Sequence, residues 1–107
     1  MMYIIIYSFK AKPGKELDFE KAWLELTKLI YQYEGSLGSR LHKESDLHYI
    51  AYAQWPSKDV FDNSGNCMPE EADKWRALMI NSCESKQVLY QMQMKEDYLQ
   101  KQIFVKM

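Results

Sequence analysis

The stretch HYIAYAQWPS, His48 to Ser57, narrows the folds open to this chain more than any other. Side chains alternate between the two faces along a strand. On that rule Leu47, Tyr49, Ala51, Ala53 and Trp55 share one face, and His48, Ile50, Tyr52 and Gln54 share the other. Both faces carry large apolar groups, so both need cover. Pro56 ends the strand, because it has no N–H to give to a central ladder. Ser57 is then placed to cap a short helix, Lys58 to about Asp62, with Asp59 in its first turn against the helix dipole.

The N-terminal MYIIIYSFK repeats the two-faced pattern, with Met2, Ile4 and Ile6 against Tyr3, Ile5, Tyr7 and Phe9. Lys12-Pro13-Gly14 breaks it. From Lys15 to Tyr33 the period changes. Phe19, Ala22, Trp23, Leu26, Leu29, Ile30 and Tyr33 recur every three or four residues, which predicts one amphipathic helix, closed by Gly35. Ser36 to Lys43 alternates weakly and turns through Glu44-Ser45-Asp46 into the central strand. That turn would set His42 opposite His48. Two imidazoles with no third ligand in view do not predict a metal site.

Pro69 with Glu70-Glu71 is expected to open a further helix, with Ala72, Trp75, Leu78 and Met79 as its apolar stripe. Gln87 to Met94 then alternates as a strand. Val88, Tyr90, Met92 and Met94 are expected to face inward, with Gln87, Gln91 and Gln93 outward. Beyond Lys95 the signals are mixed, and a tail is expected with Ile103, Phe104 and Val105.

Strand, helix, two strands, short helix, helix and strand in that order predict an α+β, ferredoxin-like split βαβ fold. Its four-stranded antiparallel sheet would carry the helices on one face. The other face, with Ile50 and Tyr52 on it, would be bare in a monomer. A homodimer with those faces together, closed by two-fold symmetry, is the expected cover. The 107 residues suit a single domain, 1–107, with its core at about 2–95 and a C-terminal tail at 96–107. Fourteen basic and 15 acidic residues give a net charge of -1, without the clustered basic surface that nucleic acid requires. The longest apolar run, MMYIIIY, falls far short of the roughly 20 residues that span a bilayer. It also lacks the basic start and cleavage site of a signal peptide. Cys67 and Cys83 have no metal-ligand spacing and read as thiols of a reducing, cytoplasmic compartment.

Three pieces in order carry a resemblance. They are Lys12-Pro13-Gly14-Lys15-Glu16, then Glu34-Gly35-Ser36-Leu37-Gly38, then Tyr52-Ala53-Gln54-Trp55 followed by Pro56-Ser57. Over roughly Tyr3 to Met94 the chain resembles the antibiotic biosynthesis monooxygenase (ABM) domain of the dimeric α+β barrel superfamily. The resemblance implies a homodimer whose protomers each hold a pocket between helices and sheet. Some such proteins oxidise polycyclic phenols or quinols with molecular oxygen and neither metal nor flavin, and another branch degrades heme. The expected function is therefore a cofactor-independent monooxygenase acting on a small aromatic or quinol-like molecule. The alternative is a non-catalytic small-ligand-binding or regulatory dimer on the same fold.

Trp55 matches the strand-end tryptophan of the quinone-forming members and would stack an aromatic substrate. Those members place an asparagine four residues earlier, where its amide can steady negative charge on a substrate oxygen. Here that position is Ala51. The heme-degrading branch has an asparagine about where Tyr7 stands and a histidine about where Asn66 or Cys67 stands, so heme degradation is not expected. Tyr7, Tyr49, Ala51, Trp55 and Arg76 are the candidate pocket residues; no catalytic residue is assigned.

Overall fold

In the computed structural model, which describes residues 1–100, seven elements follow one another. They are β1 (Tyr3–Ala11), α1 (Glu16–Tyr33), β2 (Ser39–Lys43), β3 (His48–Trp55), α2 (Lys58–Asp62), α3 (Ala72–Ser82) and β4 (Cys83–Gln93). Ile103, Phe104 and Val105 lie outside the described residues. The strands form one sheet in the order β2-β3-β1-β4, with every neighbouring pair antiparallel. This is the ferredoxin-like arrangement the element order predicts.

The register sorts the residues by face. Tyr3, Ile5, Tyr7 and Phe9 stand opposite Trp55, Ala53, Ala51 and Tyr49, and these are the side chains that the helices cover. At one end Phe9, Phe19, Tyr49 and Ala51 are buried together, with Trp23 and Met79 packed on them. At the other end Tyr3, Ile5, Ala53 and Trp55 pack against Ile30 of α1 and Val60 and Phe61 of α2. Ser57 caps α2 as expected, accepting from the Val60 N–H at 3.2 Å. The opposite sheet face carries Ile6 against Tyr52 and Ser8 against Ile50 in β3, and Ile4 against Met92 and Ile6 against Tyr90 in β4.

Four sequence expectations change. α3 starts at Ala72; Pro69 to Glu71 form the turn before it, with the Ala72 N–H bonded to the Pro69 carbonyl at 3.0 Å. β4 starts at Cys83, where α3 ends, and not at Gln87. His42 faces Ile50 across the hairpin, not His48, whose ring instead meets the Ser45 hydroxyl at 3.2 Å. The alternation of β4 is also broken. The register slips between Ile6 opposite Tyr90 and Tyr7 opposite Val88, so Leu89 is an extra residue, a β-bulge. Val88 turns to the helix face, whereas Tyr90 and Met92 lie on the other face; all three are exposed in the protomer.

Candidate functional site

A cavity of about 500 Å³ opens between the sheet, α1, α3 and the loop that follows α2. Its sheet wall is Tyr7, Phe9, Ala53 and Trp55, and α1 contributes Trp23, Leu26 and Ile30. These residues come from both packed ends of the core, so the cavity is the gap left between them. A volume of this size holds a drug-sized ligand, and an aromatic wall with few polar groups is the usual character of such sites.

Each sequence candidate has a definite place. Trp55 is buried and serves two purposes, with its ring edge-on to Phe61 at 5.4 Å and another part of it lining the cavity. Tyr7 lines the cavity half-buried, and loss of water around its hydroxyl raises its pKa, so it stays protonated as a donor. Arg76 reaches the wall from α3, about half exposed, with one guanidinium nitrogen 3.2 Å from Asp73. Tyr49 and Ala51 do not line this cavity. Tyr49 is packed under α1, its ring 4.7 Å from Phe19 and its hydroxyl donating to the Glu20 carboxylate at 2.6 Å. Ala51 is buried in the same cluster. Phe19, in the first turn of α1, packs directly on that end of the sheet.

Three lining residues were not legible from the sequence as site residues. Trp23 reads there only as part of the α1 stripe. Glu34 reads as the end of a helix, yet its carboxylate accepts from the Gly65 N–H at 2.6 Å and the Cys67 N–H at 3.3 Å, tying the loop down over the cavity. Lys86 lies on the wall with its ammonium 5.1 Å from the Tyr7 ring centre. Among the described residues no group of three His, Cys, Asp or Glu side chains is placed to hold a metal. None of the described helices is long and apolar enough to cross a membrane.

The family model for antibiotic biosynthesis monooxygenases matches residues 2–66, which span β1 to the loop after α2. The chain belongs to the antibiotic biosynthesis monooxygenase family. Solved structures agree with that fold. SnoaB, a cofactor-independent oxygenase from Streptomyces nogalater, superposes with a TM-score of 0.73 at 12% identity, over 92% of this chain and 98% of its own. A candidate antibiotic biosynthesis monooxygenase from Bordetella bronchiseptica gives 0.71 at 24% identity, over 89% and 98%. One from Caulobacter crescentus gives 0.71 at 21%, over 89% and 91%. No curated protein sequence matches the chain. Within this ABM protein, the matched segment supplies most of the sheet wall, α1 and Gly65, whereas Arg76 and Lys86 come from beyond it.

Proposed function

We propose that this ABM protein is a cofactor-independent oxygenase that oxidises a small aromatic or quinol-like molecule in the cavity beside Trp55. The observation that carries the reading is that cavity: about 500 Å³, walled by Tyr7, Phe9, Trp23 and Trp55, between the sheet and the helices of an ABM fold. An electron-rich phenol can be its own reductant. Once its hydroxyl is deprotonated, the ring passes one electron to dioxygen. The radical pair joins as a ring-carbon peroxide, the O–O bond breaks, and the products are a quinone and water. One oxygen atom of O2 enters the quinone and the other leaves in the water.

Such chemistry asks the protein to exclude water, hold the ring and steady charge on its oxygen. Trp23 and Trp55, which line the cavity, would stack the ring. The protonated Tyr7 hydroxyl can donate to the developing oxyanion. A Tyr7 donor would stand in for the amide that Ala51 lacks.

The test is oxygen uptake across a panel of naphthols and hydroquinones, with product oxidation followed in parallel. Consumption of one oxygen molecule per quinone formed is expected, with a loss of about tenfold or more in Tyr7→Phe. Uptake at the enzyme-free rate with every compound refutes the reading. A second reading, a non-catalytic ligand-binding dimer, draws on Ala51. It predicts a raised melting temperature with such compounds and no turnover.

A further inference from the structure

Between Tyr90 and Val88 the β4 strand carries one residue too many, and the cavity's electrostatics follow from it. Lys86, Val88 and Tyr90 have the same parity and in a regular strand would share the outer face. The extra residue at Leu89 reverses the face, so Val88 stands opposite Tyr7, and Lys86 opposite Phe9. Bulges beside functional sites re-aim side chains in this way. Lys86 is thereby turned from the outer face to the cavity, where its ammonium lies 5.1 Å from the Tyr7 ring centre.

The charged groups on the cavity wall are Glu34, Arg76 and Lys86. They are not mixed. Glu34 is at the C-terminal end of α1 and has both carboxylate oxygens engaged by backbone N–H groups of the loop. Arg76 and Lys86 come from α3 and β4, on the other side. Arg76 uses a single nitrogen on Asp73, which leaves the rest of its donor fork open. Lys86 forms no ion pair among the described residues. An apolar chamber with an uncommitted ammonium at one side is complementary to a flat ring bearing one negative group.

We propose that the cavity selects aromatic anions, a carboxylate or ionised phenolic oxygen on a ring system, and that Lys86 is the residue that recognises the charge. This rests on the cavity being the substrate site and deepens the reading above. With an anionic ligand present, the ring lies among Trp23, Trp55 and Phe9, and its charged oxygen lies toward Lys86, within reach of the Tyr7 hydroxyl.

Two probes of similar size separate charge from shape: 2-naphthoate and 2-naphthylmethanol, titrated against the quenching of tryptophan fluorescence. The wild-type protein is expected to bind the carboxylate about fivefold more tightly, the ceiling for a partly exposed ion pair, and to lose the preference in high salt. Lys86→Gln is expected to remove the preference while leaving the dissociation constant of the alcohol unchanged; Lys86→Arg is expected to keep it. Equal affinity for the two probes, a preference that survives Lys86→Gln, or binding of neither probe overturns the proposal. Because the readout is binding, a protein that consumes no oxygen but prefers the carboxylate overturns the oxygenase reading alone.

Discussion

Tyr7 and Tyr49 show how position divides two chemically identical residues. Both face the helices, on neighbouring strands. Tyr7 meets the gap between the two packed ends of the core, whereas Tyr49 lies under Phe19 and donates a hydrogen bond to Glu20. Burial is the larger cause and the Glu20 carboxylate the next in pushing the Tyr49 hydroxyl up to about 12 from an ordinary value of 10. A group with a raised folded-state pKa contributes stability that is complete below its unfolded value and lost as pH rises through its folded one. For Tyr49 that window runs from about pH 10 to about pH 12. Tyr49→Phe is therefore expected to cost about 1 kcal/mol at neutral pH through the lost hydrogen bond. Denaturant midpoints taken from pH 8 to pH 12 are expected to show wild type and variant converging above pH 10. A constant difference across that range would show that Tyr49 ionises as an ordinary tyrosine.

At the level of the element, the joint between α1 and β2 is the most demanding piece of backbone beside the cavity. Gly35 closes α1 with φ at +85°, a left-handed conformation that costs a residue with a Cβ about 1–2 kcal/mol. An added Cβ would also sit 3.1 Å from the Val60 side chain of α2. Gly14 has a similar φ of +77° with nothing within 4 Å of the Cβ position, so it isolates the backbone term. Gly35→Ala is expected to lower the thermal midpoint more than Gly14→Ala; equal shifts would mean that α2 yields freely. This joint was readable in the sequence, as were the strands, α1, the Pro56 stop and the Ser57 cap, because each depends on local chemistry or on a period that ten residues reveal. The site was readable only where it rests on those signals. Trp55 and Tyr7 are fixed by strand parity, and both line the cavity. Lys86 depends on a bulge, and a single extra residue leaves no mark in the hydrophobic pattern of QVLYQMQM. Glu34 depends on a contact with a loop 31 positions away. Tyr49 and Ala51 lie off the cavity for a related reason: parity gives the face of a strand but not how far along it the helix rests.

Across the whole molecule, the sheet is two-sided and the helices cover one side. The uncovered face carries Ile6, Ile50, Tyr52, Tyr90 and Met92, with Tyr90 63% exposed and Met92 45% exposed in the protomer. The bulge at Leu89 is what leaves Tyr90 and Met92 on this face while Lys86 lies on the other, so one extra residue divides β4 between the outer face and the cavity. A contiguous apolar face of this kind is characteristic of an interface. A two-fold axis through it would bring the same residues together from both copies, which fits the homodimer expected from the sequence. Stable interfaces bury about 800 Å² per partner, within reach of one face of a four-stranded sheet. Ile50→Glu would place a charge near the centre of that contact without disturbing the helix-facing core, because Ile50 points away from it. The wild type is expected to sediment as a dimer at micromolar concentration, and Ile50→Glu as a folded monomer with an unchanged far-ultraviolet spectrum. Tyr52→Glu, on the same face, is expected to behave alike should Ile50→Glu fail to fold. Leu17→Glu, on the exposed side of α1, serves as the control and is expected to remain dimeric. A wild-type monomer, or dimers that persist in both face variants, would remove this face from the interface.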